Sequence, residues 1–398
     1  MPLSVPALRY LAAAIPLRMA GEGARVALVV IAVDRADSVP LGALFVAASL
    51  APSVIAAPLI GVALDRSRAP RRLMVVSGLI TAVAFVMTGF FDPLPARLVI
   101  IALLASGATI PAFMGGLSSF AADIMPGRPA DAYAQDALAY NVGGVVGPAI
   151  AAGAIAAGSS QWAIWLLAIG AAAGSAVMAT MPIPARPLRT EPVSILTDVR
   201  MGLTHLVRHR PLANATLAGT LTQLGSGAIP VAAVAIALER TGGIAAAGWI
   251  VTALAIGGLA GALVSSVWST ARWQPQHVML VGFAVTGIFS AIAAFDIGYP
   301  ATLLAVGISG LTIAPAVASL LLIRREESPP EVRSQVFTVG AALRISTEAI
   351  GAGVAGIFAS SGAFALMLFV AAGWLVSAAI LFWYPPAGAF DAPEKVPS

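Results

Sequence analysis

Residues 61–72 read GVALDRSRAPRR, a short basic loop between two apolar stretches. Each flanking stretch approaches the roughly 20 mostly apolar residues that an α-helix needs to cross the hydrocarbon core of a bilayer. Basic residues are enriched in the cytoplasmic loops of membrane proteins, so a loop of this kind also reports orientation. The 61–72 loop therefore predicts a multi-pass membrane protein with this loop in the cytoplasm.

The composition of the whole chain points the same way. Of 398 residues, 59% are hydrophobic and only 10% are charged, whereas soluble domains carry roughly 25% charged residues. The basic residues lie in short loops beside apolar stretches, which favours membrane orientation over nucleic-acid binding. There is no cysteine, and none of the three histidines has a metal-ligand spacing with another histidine embedded in a span, so we expect neither metal nor cofactor.

Counting apolar runs between charged or Pro/Gly-rich breaks predicts twelve spans. With both termini in the cytoplasm, the outer loops hold only Arg35, Arg97 and Arg240, and this asymmetry supports the even number of spans. The predicted spans are 8–33, 40–64, 73–91, 96–122, 132–157, 162–181, 212–238, 245–269, 277–296, 299–323, 334–359 and 363–384.

The longest polar break, 182–211, divides the spans into six plus six. Apolar residues recur within it at helical spacing opposite a basic face. This pattern fits an amphipathic helix on the inner membrane surface or, equally, an ordinary solvated linker helix. The predicted domains are a first six-helix bundle at 1–185, a linker at 186–211, a second bundle at 212–384 and a cytoplasmic tail at 385–398.

The 61–72 loop has a specific spacing, Gly-x-x-x-Asp-Arg-x-x-x-x-Arg-Arg, between spans two and three. Together with the six-plus-six layout, it resembles motif A of the major facilitator superfamily. The resemblance implies an all-α membrane transporter of two pseudo-symmetric six-helix bundles that works by alternating access. It also implies that Asp65 is held against the N-terminal end of span eleven, as part of a conformational latch formed by Gly61, Asp65, Arg66, Arg71 and Arg72.

Span five carries small residues at helical spacing. Its Gly143, Gly147, Pro148 and Gly153 resemble the antiporter motif C of the superfamily, although the last spacing is two residues off. The resemblance implies that spans five and eight face each other, so that their small faces slide together; plain helix packing is the alternative for Gly257 and Gly261 in span eight. The segments 126–141 and 199–211 resemble the macrolide-efflux and enterobactin-exporter branch of drug–proton antiporters.

Embedded charges mark the candidate site, because a charge at the bilayer centre costs at least about 2.5 kcal/mol. Span one contains Arg18, Glu22 and Arg25, and span eleven contains Arg344 and Glu348. Each Glu follows an Arg by four residues on the same helix face, so one interpretation is a pair of self-neutralising ion pairs that fix helix packing. In span one the second Arg leaves a net positive charge, which suits an anionic or polar ligand instead. Glu22 is the predicted proton carrier.

Four further polar residues lie inside the apolar spans. Asn141, Tyr140 and Gln223 are candidates for hydrogen bonds to a substrate in the cavity. We expect Asp136 to act chiefly as a helix-dipole partner near the start of span five.

The sequence thus predicts a proton-coupled exporter of a small amphipathic molecule, such as a drug or siderophore, in the bacterial inner membrane. We expect it to function as a monomer. Uptake or movement of a lipid-like substrate is the alternative within the same fold. An enzyme is disfavoured because no cluster of catalytic groups occurs, and a sensor or scaffold is disfavoured because the longest loop is only about 30 residues.

Overall fold

The structure is a computed structural model, and it describes residues 4–125, 127–157, 159–184, 195–241, 246–267, 273–296 and 298–384. Within these ranges the chain is helical almost throughout. The helices of the first half are α1 (Val5–Ala36), α2 (Val39–Arg66), α3 (Pro70–Gly89), α4 (Ala96–Thr109), α5 (Gly115–Ser119), α6 (Ala121–Ile124), α7 (Pro129–Ala156) and α8 (Ser160–Ala179).

A linker helix and the second half follow. These helices are α9 (Ile195–Arg208), α10 (Arg210–Thr241), α11 (Ala247–Val267), α12 (Pro275–Ala294), α13 (Tyr299–Leu311), α14 (Ile313–Glu326), α15 (Arg333–Ile357) and α16 (Gly362–Phe382). Helices of each half pack mainly against one another: α1 lies on α7 and α8, and α10 lies on α15 and α16. The predicted all-α fold of two six-helix bundles is confirmed.

Short connections make consecutive spans run in opposite directions. We call the end of the molecule that carries the 61–72 loop the basic end, and the opposite end the far end. The predicted domain boundaries stay a prediction, because 185–194 and 385–398 lie outside the described residues.

Spans four and ten are each made of broken helices, and proline explains both breaks. Proline has no backbone N–H and its ring collides with the carbonyl four residues earlier. Pro111 follows the end of α4, and the chain continues through a short 3₁₀ turn to α5 and α6. Pro315 similarly accompanies the break between α13 and α14.

Ten helical segments among the described residues are long and apolar enough to cross a membrane. The two predicted spans outside that set are α1 and α15, which are 32 and 25 residues long. They carry the embedded arginines and glutamates. Large apolar side chains such as Ile55, Ile169 and Leu304 are exposed on the outside of the bundle, as a lipid-facing surface requires.

Buried apolar residues form separate cores whose positions differ. One core lies within the first half towards the far end, around Phe45 and Phe85. Another lies within the second half, around Phe283 and Trp374. A third joins the two halves near the basic end, where residues such as Leu117 and Phe337 pack in one cluster. Apolar contact therefore seals the halves together at the basic end.

The predicted linker helix is present as α9. Its apolar residues Leu196 and Val207 are exposed, while Asp198 and Leu206 are buried against the bundle. Gln335 Nε2 donates to the carbonyl of Val199 at 2.7 Å. An exposed apolar face of this kind suits the surface of a membrane.

Candidate functional site

The carboxylate of Asp65 caps the start of α15. Oδ1 accepts from the backbone N–H of Ser334 at 3.0 Å, and Oδ2 accepts from that of Gln335 at 3.1 Å. The first N–H groups of a helix have no partner within the helix, and the helix dipole favours negative charge there. Asp65 is buried, so this contact ties the first half to the second at the basic end.

Close approach of α2 to α15 makes the cap possible. A Cβ at Gly61 would overlap the backbone of Gln335, so a larger residue there would push the helices apart. One turn earlier on α2, the carbonyl of Ala57 accepts from Thr338 Oγ1 at 2.8 Å.

The arginines of the 61–72 loop make other contacts. Arg66 Nε donates to Asp198 Oδ2 on α9 at 2.5 Å. Arg71 donates to the carbonyl of Met181 within the first half at 3.2 Å, and Arg72 is exposed. Of the predicted latch, Gly61 and Asp65 lie at the contact with α15.

Other polar contacts between the halves lie at the same end. Arg325 on α14 donates to Asp123 Oδ1 on α6 at 2.7 Å, and the hydroxyls of Ser119 and Ser334 are 2.9 Å apart. For pairs in which both residues are described, hydrogen bonds between the halves lie towards the basic end, apart from one near the middle. The structure is thus closed at the basic end.

That middle contact lies at a central cavity of about 100 Å³. Arg25 bridges two carboxylates there: it lies 3.2 Å from Glu22 on its own helix and 3.3 Å from Glu348 on α15. The three side chains are partly exposed to the cavity, at 28%, 25% and 34%. We call Glu22, Arg25 and Glu348 the central triad.

The predicted ion pairs Arg18–Glu22 and Arg344–Glu348 are wrong. Glu22 and Glu348 both bind Arg25 rather than Arg18 and Arg344. Helix periodicity alone allows i,i+3 and i,i+4 partners equally, and the neighbouring helix decides between them.

Arg18 is fully buried and binds Asp136 on α7. Its guanidinium also donates to the Asp136 carbonyl at 2.6 Å and to Ser118 Oγ at 3.1 Å, and the Tyr10 hydroxyl donates to the same carboxylate. The expectation that Asp136 serves the helix dipole is wrong, because it lies two turns into α7 and neutralises Arg18. The Arg18 guanidinium stacks on the face of the Tyr140 ring, with its carbon 3.5 Å from the ring centroid.

Two arginines of the second half line the cavity without an ion pair among the described residues: Arg344 and Arg324. The sequence places Arg324 among the loop charges of the basic end, but the structure buries it to 1% exposure within α14. It was missed because an Arg-Arg pair closing an apolar run is typical of a membrane boundary.

Of the three polar residues predicted to bind substrate, two line the cavity and one bonds to its own helix. Tyr140 and Gln223 line the cavity. The Tyr140 hydroxyl lies 3.4 Å from Ser118 Oγ, and Gln223 Nε2 donates to Thr222 Oγ1 at 3.1 Å. Asn141 instead donates to the carbonyl of Ala137 on its own helix at 2.8 Å.

The small face of span five packs within the first half. A Cβ at Gly143 would lie 2.7 Å from Arg18 Cβ, and one at Gly147 would lie 2.9 Å from Gly23 N. Pro148 follows within the same helix, and Gly153 has open space around it.

The corresponding face of span eight packs elsewhere. Gly257 and Gly261 lie against the backbone of α13. Spans five and eight do contact each other, since α7 packs against α11 across the halves. The expected seam between their two small faces is wrong for this structure, because each small face packs inside its own half, as the packing alternative predicted for Gly257 and Gly261.

Among the described residues no group of three or more His, Asp or Glu side chains could hold a metal ion. Ion pairs and hydrogen-bonding groups line the cavity between the two bundles. Comparison with family models gives a match to the Major Facilitator Superfamily over residues 10–222. The chain belongs to the major facilitator superfamily.

Relatives of this major facilitator protein span nearly its whole length. An uncharacterized MFS-type transporter, y4rN of Sinorhizobium fredii (strain NBRC 101917 / NGR234), is 26% identical over 378 residues, which cover 93% of this chain and 92% of the relative. The family consists of transporters rather than enzymes, so this chain is a secondary transporter in a membrane.

Solved structures show the same fold. A bacterial homologue of the iron transporter ferroportin in an outward-facing state gives a TM-score of 0.76 at 14% identity, covering 96% of this chain and 99% of that one. The E. coli fucose:proton symporter FucP gives 0.73 at 13% identity, covering 97% and 100%. At these identities the likeness establishes the major facilitator fold alone.

For this transporter we expect Asp65→Asn to loosen the basic end. Asparagine retains one acceptor oxygen but loses the charge and the second acceptor, and a hydrogen bond to a charged group contributes about 1.5–3 kcal/mol. The chain has no cysteine, so Ser119→Cys provides a single probe at the contact between the halves at the basic end. We expect a maleimide to label this cysteine about tenfold faster in the Asp65→Asn background.

Arg71→Gln in the same Ser119→Cys background is the matched control, because the hydrogen bond of Arg71 among the described residues lies within the first half. Its labelling rate should equal that of the parent. Equal rates for Asp65→Asn and Arg71→Gln would show that Asp65 does not hold the basic end closed.

Proposed function

We propose that this transporter is a proton-coupled exporter of a small amphipathic molecule. In this proposal it works as a monomer in the bacterial inner membrane, with the basic end in the cytoplasm. The observation that carries the proposal is the central triad, in which one arginine joins a carboxylate of each half beside the cavity. In this proposal, the charge on the two carboxylates determines how strongly the two halves are held together at the triad.

Protonation of the triad changes the contact between the halves. A proton on Glu348 would remove the charge that attracts Arg25 across the interface, and a proton on Glu22 would leave Glu348 as the single anionic partner of Arg25. Breaking a partly buried pair is costly unless the freed charge is neutralised. A proton can therefore shift the balance between closed and open arrangements of the bundle.

The proposed direction of transport, which is export, is supported by the sequence. Gly143, Gly147 and Pro148 resemble an antiporter motif, and the chain resembles an exporter branch of the family. The cavity wall combines the charged groups with apolar residues such as Leu321, Phe337 and Ile345, which suits an amphipathic substrate.

Uptake by symport is the second candidate, and a specific observation favours it. Arg324 and Arg344 line the cavity without a carboxylate partner among the described residues. A proton on the triad would leave the cavity more positive. Proton and anionic substrate would then favour each other's binding, and groups that bind together are carried in the same direction.

Membrane vesicles test the proposal. Inverted vesicles containing the transporter are energised with a proton gradient and given a panel of cationic, neutral and anionic amphipathic compounds. Export predicts accumulation that stops on addition of a protonophore and is lacking in vesicles without the protein.

Two outcomes would contradict this. Accumulation that is insensitive to the protonophore removes proton coupling. Accumulation found only in right-side-out vesicles with an inward proton gradient replaces export by symport.

A further inference from the structure

We propose that Arg324 and Arg344 form the binding site for a carboxylate on the substrate, so that the transporter carries an amphipathic organic acid. The inference rests on the proposed transport function, but not on proton coupling or on the direction of movement.

Arg324 is held deep in the second half. Its side chain belongs to the last turn of α14 and is 1% exposed. Its Nε and one terminal nitrogen have no hydrogen-bond partner in the described part of the chain. A Cβ at Gly340 would lie 2.7 Å from the other terminal nitrogen, so glycine at this position of α15 leaves the space that the guanidinium occupies.

Arg344 lies one turn further along α15 and lines the same cavity. Its Nε is also buried without a partner among the described residues. Glu348, the carboxylate one turn away on the same helix, is 3.3 Å from Arg25. The acid that could have neutralised Arg344 is thus committed to the central triad.

The charges around the cavity do not balance. Arg25, Arg324 and Arg344 face Glu22 and Glu348, which leaves one positive charge in excess. Both carboxylates bind Arg25, so the excess is concentrated on the other two arginines. Two guanidinium groups without an ion-pair partner in the described part of the chain are costly within a span, because charges are poorly solvated there. A bound anion would offset that cost.

Guanidinium geometry and the rest of the wall define the ligand. Arginine presents a planar fork of donors that matches the two oxygens of a carboxylate. Leu321, Phe337 and Ile345 supply an apolar surface beside it, and Tyr140 adds an aromatic one. The occupant is therefore an anion with an apolar body.

Binding to the purified transporter in detergent tests the site without any gradient. The probes are benzoate and 1-naphthoate, their neutral amides, and phenyl phosphate. We expect the carboxylates to raise the thermal unfolding temperature and to bind at least about tenfold more tightly than the amides, given the strength of charge-assisted hydrogen bonds. Tighter binding of phenyl phosphate would reassign the ligand from carboxylates to phosphate esters and so overturn the proposed class.

Variants separate a binding role from a structural one. Arg324→Gln and Arg344→Gln should each weaken benzoate binding at least about tenfold. Without ligand, the same variants should unfold at a higher temperature than the parent, because each removes a charge that lies in a span without an ion-pair partner among the described residues. Arg128→Gln, which removes an exposed charge paired with Asp131, should change neither quantity.

Three results would overturn the proposal. The first is that none of the anions binds the parent protein. The second is equal binding of acids and amides. The third is a fall in the unfolding temperature of both variants with unchanged anion binding, which would make the arginines structural. If the anions do not bind but another compound is transported with protons, only the proposed carboxylate site is rejected. If the anions bind but transport does not depend on protons, only the proposed proton coupling is rejected.

Discussion

Glu22→Gln should abolish transport driven by a pH gradient while leaving the protein folded. Glutamine has nearly the shape of glutamate and can still accept a hydrogen bond from Arg25, but it cannot take up a proton at physiological pH. Arg25 keeps Glu348 as its anionic partner at 3.3 Å, so Arg25 is not left without a counter-charge and folding should be preserved. The measurement is gradient-driven accumulation in vesicles, which should fall to that of vesicles without the protein.

Exchange of substrate across the membrane without a gradient distinguishes loss of coupling from loss of transport. Glu22→Gln should retain exchange, since Arg324 and Arg344, which are proposed to hold the substrate, are unchanged. Glu326→Gln is the matched control, because Glu326 is an exposed carboxylate at the end of α14. Normal gradient-driven accumulation by Glu22→Gln would show that another group carries the proton.

Glu348→Gln tests the other arm of the central triad and should behave differently. It removes the carboxylate that links Arg25 to the second half but leaves Glu22 able to titrate. Coupling should persist, and the balance should shift towards arrangements in which the halves have separated near the middle.

The helices of this transporter could be predicted from the sequence because their cause is local. Twenty apolar residues between charged or proline-containing breaks leave a chain in lipid no other way to satisfy its backbone groups. The contact of Asp65 could also be anticipated, since the spacing of the 61–72 loop resembles a family motif. Its effect on gating remains a prediction.

The partners of the embedded charges could not be predicted, because they are set by helix packing. Arg18 has Glu22 one turn away on the same helix, yet it binds Asp136. Gly143 and Gly147 let α7 approach α1 closely, and Asp136 lies about two turns before Gly143 on the same face. The spacing of Asp136, Gly143 and Gly147 in the sequence places them on one helix face, but it does not tell which helix that face contacts.

The misassignment of Arg324 has a related cause. In the sequence it ends an apolar run next to Arg325, as a loop residue would. The two adjacent side chains point to different surroundings in the structure: Arg325 pairs with Asp123, and Arg324 is buried beside Gly340. Adjacent helical positions lie about 100° apart around the axis, so residues next to each other at a span end can differ completely in burial.

Asp136→Asn should cause the largest loss of stability of any single substitution considered for this transporter, about 3–5 kcal/mol. The substitution leaves Arg18 with a full charge inside the first bundle, where its side chain is 1% exposed. The remaining contacts of the guanidinium, with Ser118 and the carbonyl of residue 136, are neutral. Denaturant titration in detergent measures the free energy of unfolding.

Two further variants show whether the loss comes from the unpaired charge. Tyr10→Phe removes one hydrogen bond to the same carboxylate and should cost only about 1 kcal/mol. Replacing both partners, Arg18→Met with Asp136→Leu, should recover most of the stability, because no charge is then left alone. If Asp136→Asn lowers the free energy of unfolding no more than Tyr10→Phe does, the Arg18–Asp136 pair is not a major source of stability of the first bundle. If the double variant folds and still binds benzoate, Arg18 has a structural role and the substrate is held by the arginines of the second half.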